Sequence, residues 1–465
     1  MSLFHQGITP GEAKAILTPG LPVHMLGIGG VSMSALAEYL ADTGHPVSGS
    51  DRVPGESFPR LEKRGIRVTV GHRAEELPPD TGLLVYSLAI AEDNPVLNEA
   101  HRRGIPCMSR AELLGGVMLD FPVRVGISGT HGKSSTTALL SHVLSALGRH
   151  PVVLSGAAGE NGSAYTPGGR ECLVYEACEY KDSFLRFAPT HAVFLNMEWD
   201  HTDYFHTPGA MAESFRRAAA LAGRVYLGTD DPALAVLAPD LPDAVTFGTA
   251  GTPTLLLRDV QEEHGYFRAT PYYRGQQLPP LLSGTPGAMG LSHAAAVLAF
   301  CLDRGEDPAA VLRAIPTFRG IPRRLEYLGR TSACRYYYDY AHHPTEIRAG
   351  IRTLLAFAPR PLTVIFRPHT YTRTRDLWED FVAALRGADR VILTDVYPAR
   401  EEPISGVDAP HLATAVGESA SYVPLTDLSR RLPTLSGTAV LMGAGSYGKI
   451  IENLCETLDK SSPVV

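Results

Sequence analysis

Residues 122–148, PVRVGISGTHGKSSTTALLSHVLSALG, decide the fold. An apolar run, PVRVGI, leads into a glycine-punctuated loop and then into a segment whose Leu140, Val143, Leu144 and Leu147 recur at helical spacing. Strand, glycine loop and helix in that order make a phosphate cradle. Gly129 and Gly132 let backbone N–H groups turn inward, and Lys133 adds a point charge for the β and γ oxygens of a nucleotide. Ser134 opens a helix whose positive end faces the same anion, and its hydroxyl suits Mg²⁺. A full G-x-x-x-x-G-K loop would carry glycine at 127, where this chain has Ile127. The competing reading is a plain glycine turn beside a solvated lysine.

Upstream, VHMLGIGG (23–30) is an apolar strand ending in glycines, followed by SMSALAEYLADTG with Met33, Leu36, Ala37 and Leu40 at helical spacing and Gly44 as the stop. PVSGSD then reads as a second strand ending at Asp51, about twenty residues past the glycines, as a nucleotide-binding βαβ unit requires. Ser32 stands where a dinucleotide fingerprint holds its third glycine, so the loop suits a pyrophosphate without specifying NAD, and a bland tight turn competes. Strand-like IRVTV and GLLVYSLA alternate with polar helical stretches, which predicts a parallel, doubly wound sheet.

Downstream, the strands CLVYEA and HAVFLNM end in the polar clusters EACEYKDS and EWDHTDYF. Ligands of open α/β sheets sit at the carboxyl ends of strands, so these clusters and the glycine loop are expected to share one crevice. Glu176 offers the hard oxygen that Mg²⁺ prefers, and His201 a ligand for a second metal or a phosphate contact; a solvated carboxylate and a structural histidine are the alternatives. From about residue 319 a further α/β pattern begins, with strands RYYYDYA, LTVIFRP, RVILTDV and AVLMGAG. There DYAHHPTE (339–346) and RPHTYTRTRD (367–376) gather carboxylate, imidazole and guanidinium groups behind strands. Arg373 and Arg375 would straddle an anion from an extended loop but point apart on a helix, where pairing with Asp376 and Glu379 is the plain alternative.

The 465 residues suit about three domains at roughly 150 each. Lys plus Arg 42 against Asp plus Glu 49 leaves −7, which excludes a generic nucleic-acid coat. The six cysteines form no C-x-x-C, and no run reaches the roughly 18 apolar residues of a membrane span, so reduced thiols in a cytoplasmic protein without membrane insertion are expected.

Together these segments resemble the Mur ligase family, in its alanine-adding branch, along nearly the whole chain. The motifs fall in family order: HMLGIGGVSMSALAEYL, VSGSD, YSLAIAEDNPVL, GTHGKSSTT, EACEYKDSFL, NMEWDHTDYF, FRGIPRRLE, DYAHHPTEI, RPHTYTRTRDL, TDVYPAREEPISGV and GAGSYGKI. The resemblance implies a three-domain α/β protein: a Rossmann-like UDP-sugar domain (1–119), a central P-loop ATPase-type domain (120–320) and a Rossmann-like carboxyl-terminal ligase domain (321–465) that closes over the site. It implies ATP and Mg²⁺ as cofactors, UDP-N-acetylmuramate and L-alanine as substrates, an acyl-phosphate intermediate, a role in peptidoglycan precursor synthesis, and a monomer or homodimer.

Carried over by residue, Gly129, Thr130, His131, Gly132, Lys133, Ser134, Ser135, Arg324 and Asp339 would bind ATP. Ser134, Glu176 and His201 would hold magnesium; Gly29, Gly30, Ser32, Asp51, Ser87 and Arg375 would bind the UDP-sugar; and Lys133, Glu176, His201, His342 and Arg373 would carry the chemistry. The chain departs from the family pattern at Cys178, Lys181, Trp199, Met289, Gly290, His293, Tyr338 and Thr370. Those departures keep two alternatives open: a related ligase taking another amine or acid, and a UDP-sugar-binding paralogue of weak catalysis.

Overall fold

The computed structural model describes residues 7–159, 161–202, 204–399, 401–445 and 447–461. Its first sheet holds β1 (Val23–Leu26), β2 (Val47–Asp51), β3 (Arg67–Val70), β4 (Leu83–Tyr86) and β5 (Cys107–Ser109). They run parallel in the order β3-β2-β1-β4-β5. Every residue of β1 is buried, as expected of a strand covered on both faces. The order reverses between β1 and β4, the kind of switch point at which open α/β sheets bind ligands at their strands' carboxyl ends.

The central sheet takes β6 (Val123–Ser128), β7 (Pro151–Leu154), β8 (Tyr165–Thr166), β9 (Gly169–Glu176), β10 (His191–Phe194), β11 (Arg224–Gly228), β12 (Val245–Gly248), β13 (Leu255–Glu263), β14 (Tyr266–Tyr273), β15 (Gln276–Gln277) and β16 (Leu281–Leu282). Its parallel heart is β11-β10-β6-β9-β7, with β6 in the middle. The third sheet comprises β17 (Glu326–Arg330), β18 (Cys334–Asp339), β19 (Leu362–Phe366), β20 (Arg390–Leu393), β21 (Ala420–Tyr422) and β22 (Gly437–Met442), ordered β17-β18-β22-β19-β20-β21. Only the edge strand β17 is antiparallel to its neighbour.

Contacts divide the chain into two compact units. One holds residues 1–258, 270–279 and 292–318; the other holds 259–269, 280–291 and 319–465. The first two sheets fall in one unit because they share a core. Helix Val31–Asp42 buries Met33, Leu36, Ala37 and Leu40, the positions its periodicity marks, and also Glu38. That carboxylate, fully buried, receives Arg60 at 2.6 Å, Arg64 at 3.3 Å and the Ser163 hydroxyl at 2.9 Å. A charge removed from water needs such partners, and here one partner, Ser163, comes from the central block. Tyr39 on the same helix packs against Phe121 and edge-on to Tyr165.

All six cysteines are free, and no described helix is long and apolar enough to cross a membrane. At Gly49 in β2, a Cβ would collide with the Met25 carbonyl and the Ile28 side chain, both beside the first glycine loop. Gly49→Ala should therefore lose about 1–3 kcal/mol in urea unfolding. Gly11→Ala, where nothing lies within 4 Å of the added methyl, should be neutral or stabilising by up to about 1 kcal/mol.

Candidate active site

Strand β6 ends at Ser128, and the loop that follows has two left-handed glycines, Gly129 at φ +139° and Gly132 at φ +84°. Gly132 is the N-cap of helix Lys133–Ala146, so the first free N–H groups of that helix point into the loop. A side chain at Gly132 is excluded twice: by its φ, and because a Cβ would overlap the His293 imidazole. Ser134 is buried on the first turn and Ser135 half-buried.

The segment after β10 clamps this loop. Asn196 accepts the His131 N–H at 2.8 Å through Oδ1 and donates from Nδ2 to the His131 carbonyl at 3.0 Å. Thr130 Oγ1 donates to the Glu198 carbonyl at 2.8 Å and accepts the Glu198 N–H at 2.9 Å, while His131 Nε2 meets Glu198 Oε2 at 2.8 Å. Thr130 and His131, expected to face ATP, thus use their side chains to brace the loop, and the His131 N–H is already committed. Gly132, Lys133 and Ser134 stand at the head of the helix.

Lys133 does not extend into water. Its ammonium donates to both carboxylate oxygens of Glu179 at 3.1 Å and to the Thr130 carbonyl at 3.2 Å. Burial is the largest single influence on the Lys133 pKa and lowers it, but the Glu179 charge and hydrogen bond, with Cys178 and Glu176, together outweigh it and hold the pKa above its ordinary value. Burial likewise raises Glu179, and Lys133 with His201 overcomes this to hold it below the usual carboxylate range. His201, at a left-handed φ of +54°, places Nε2 3.6 Å from Glu179 and 3.9 Å from Asp200.

Glu176, at the end of β9, accepts from the Ser155 hydroxyl at 2.7 Å and from the Gly156 N–H, and its charge is felt by Lys133. The expected trio of Ser134, Glu176 and His201 is therefore divided: Glu176 is held by the loop after β7, whereas His201 is drawn to Glu179. Ser134 and Glu176 offer the hydroxyl and carboxylate oxygens that suit magnesium. His201 stands instead within 3.6 Å of Glu179.

In the first sheet, the turn after β1 has Gly27 at φ +86°, and Gly30 caps helix Val31–Asp42 with Ser32 in its first turn. Asp51, expected towards the uridine, accepts the Gly29 N–H at 3.0 Å and so fixes the loop's shape. Ser87, just past β4, donates its N–H to the Leu26 carbonyl, and its side chain lies beside Gly27. Gly29, Gly30, Ser32, Asp51 and Ser87 thus gather at the β1/β4 switch point.

The carboxyl-terminal unit assembles a second constellation around Glu346. Arg324 approaches one of its oxygens at 3.8 Å and His342 Nδ1 the other at 3.4 Å. His342 faces the His369 ring at 5.9 Å, and His369 Nδ1 meets Arg373 at 3.2 Å while its ring stacks on Tyr397. Thr370 caps the short helix Tyr371–Asp376 at φ +65°, a strained value for a β-branched residue. Because 371–376 is helical, Arg373 and Arg375 diverge, and Arg375 pairs outward with Asp376 at 2.8 Å rather than joining Arg373 on an anion. Asp339, buried at the end of β18, accepts the Ala341 N–H at 3.0 Å; burial raises its pKa to about 7, with Arg324 opposing.

Glu179, Asn196, Glu198 and Glu346 were not among the expected site residues. Glu179 was visible as the second acid of EACEYKDS. Asn196 and Glu198 carried no signal beyond lying after a strand, since their partners are more than sixty residues away.

A glycine loop leading into a helix at the centre of a parallel sheet, with a second glycine loop at the switch point of another sheet, defines a nucleotide-dependent α/β enzyme, and the chain belongs to the Mur ligase family. Three family models match in succession: "Mur ligase family, catalytic domain" over 22–122, "Mur ligase middle domain" over 127–300 and "Mur ligase, glutamate ligase domain" over 323–438. Among its relatives, the UDP-N-acetylmuramate–L-alanine ligase of Acetivibrio thermocellus is 34% identical over 95% of this chain and 97% of that protein. The enzyme of the same name from Caldicellulosiruptor saccharolyticus is 36% identical over 94% and 98%. The crystal structure of a UDP-N-acetylmuramate–alanine ligase from Thermotoga maritima superposes with a TM-score of 0.81 at 27% identity, covering 94% of this chain and 98% of that one. A murein peptide ligase from Psychrobacter arcticus, at 19% identity and a TM-score of 0.70 over 96% and 100%, shares the fold.

Asp339 generates a pH signature. Its pKa of about 7 lies above the roughly 3.9 of an unfolded aspartate. Between those values the unfolded chain releases a proton that the folded chain retains, so the contribution of this group to stability falls as pH rises through the window. Urea midpoints measured from pH 4 to 8 should show this decline in the wild type, and Asp339→Asn should remove that component.

Proposed function

We infer that the chain is an ATP-dependent ligase that joins UDP-N-acetylmuramate to L-alanine in peptidoglycan precursor synthesis. The observation that carries the reading is the braced Gly129–Lys133 loop in a chain 34–36% identical to ligases of that name over nearly its whole length. A carboxylate at neutral pH is a poor electrophile. Transfer of the ATP γ-phosphoryl group to the sugar acid makes an acyl phosphate, which the amine of L-alanine attacks; the amide forms and inorganic phosphate leaves. The protein's task is positioning and charge neutralisation.

The N–H groups at the start of helix Lys133–Ala146 and the Lys133 ammonium receive the nucleotide phosphates. Ser134 and Glu176 would hold magnesium, which when bound neutralises phosphate charge. The Gly27–Gly30 turn and the head of helix Val31–Asp42 receive the pyrophosphate of the UDP-sugar, with Asp51 keeping the turn in shape. In the carboxyl-terminal unit, Arg324, His342 and Arg373 supply cationic or polar groups suited to carboxylate and phosphate oxygens. Arg375, paired with Asp376 at 2.8 Å, would have to exchange that partner to reach the sugar nucleotide. The substrates are cytosolic nucleotides and an amino acid, which puts the enzyme in the cytoplasm.

The test is ADP release with UDP-N-acetylmuramate, ATP and Mg²⁺, adding L-alanine, glycine, L-serine or a peptide in turn. Turnover that requires the sugar nucleotide and is fastest with L-alanine is expected. Preference for another amine would replace the substrate assignment, and absence of turnover with all of them would overturn the ligase reading. Lys133→Ala should abolish ADP release while circular dichroism stays unchanged.

A further inference from the structure

The carboxylate of Glu179 is fully buried and holds two groups: the Lys133 ammonium, at 3.1 Å from both oxygens, and the His201 imidazole at 3.6 Å. Lys133 is folded back further by the loop's own carbonyls, those of Gly129 and Thr130. An ammonium has three hydrogens to donate, and here they are spent on the carboxylate and the loop. In this arrangement Lys133 is neutralised from within, and a phosphate arriving on the helix N-terminus must compete with Glu179 for the same cation.

We propose that Glu179 is a positioning residue that holds Lys133 in reserve and hands it to the nucleotide, so that phosphate binding is an exchange of one anion for another on a single ammonium. Two observations make the exchange favourable in both directions. Without Glu179, Lys133 would lose the carboxylate it meets directly whenever the loop is empty, leaving the loop's carbonyls and the Glu176 charge to hold it. With phosphate bound, Glu179 is not stranded, because His201 already stands against it and takes over as its partner. The carboxylate thereby passes from the ammonium to the imidazole, and His201 becomes fixed at the moment the nucleotide arrives. This inference rests on the reading of Gly129–Lys133 as a nucleotide-phosphate loop.

The exchange has a signature that a merely structural role lacks. In Glu179→Gln the competing charge is gone, so Mg²⁺-free ADP should bind more tightly, by about tenfold, for roughly 1.4 kcal/mol of lost competition. Turnover should fall at least about tenfold in the same variant, since His201 no longer has a charged partner to fix it. Glu179→Asp, with a shorter reach, should move both quantities in the same directions by less, and serves where the glutamine variant fails to fold. Calorimetric titration of ADP without metal, and kcat with KM for ATP in the ligase assay, read these out. In the Lys133→Met background the affinity gain from Glu179→Gln should vanish, because the effect passes through that ammonium. Weaker or unchanged ADP binding in a folded Glu179 variant would overturn the exchange. If Lys133→Ala binds ADP as well as the wild type, the phosphate-loop reading itself fails; if Lys133→Ala loses ADP but Glu179→Gln gains none, only the exchange fails.

Discussion

A cation placed in a low-dielectric pocket has to be paid in opposite charge, and around that constraint the central block is arranged. Lys133 sits at the head of a helix whose N-terminal N–H groups add further positive potential. Glu179 supplies the counter-charge from a backbone turn just past β9. That turn contains left-handed Lys181 and Asp182, and left-handed His201 closes the arrangement from the segment after β10. Such strained residues persist only where surroundings over-determine them. The glycine loop itself is held from the side by Asn196 and Glu198, so Lys133 is presented by a scaffold braced across the sheet.

The same principle joins the first two blocks. Glu38, buried in the helix that starts at the first glycine loop, is satisfied by Arg60, Arg64 and Ser163. The loop that ends at Ser163 begins near Ser155 and Gly156, which hold Glu176. One stretch of chain therefore touches both the helix that follows the first glycine loop and the carboxylate at the end of β9, within one packed unit.

Much of this was legible in the sequence, for identifiable reasons. Glycine loops between a strand and a helix announce themselves locally, because the φ values at Gly27, Gly129 and Gly132 have few other solutions. The apolar spacing of helices Val31–Asp42 and Lys133–Ala146 gave their buried faces. What the sequence did not carry was the identity of each polar partner. Thr130 and His131 read as phosphate ligands, and their bonds to Asn196 and Glu198 are visible only in the fold; His201 reads as a partner for Glu176, and its approach to Glu179 is equally invisible in the sequence. Arg375 was ambiguous on spacing alone, and helicity over 371–376 settles its direction. Hydrogen bonds across long sequence separations leave no periodic trace.

The most direct test of the account is a crystal structure of the protein with ADP bound. The β-phosphate should lie on the N–H groups of Gly132, Lys133 and Ser134, with the Lys133 ammonium on a phosphate oxygen and Glu179 left to His201. A nucleotide bound elsewhere, or Lys133 still held by both oxygens of Glu179 with the phosphate in place, would contradict it.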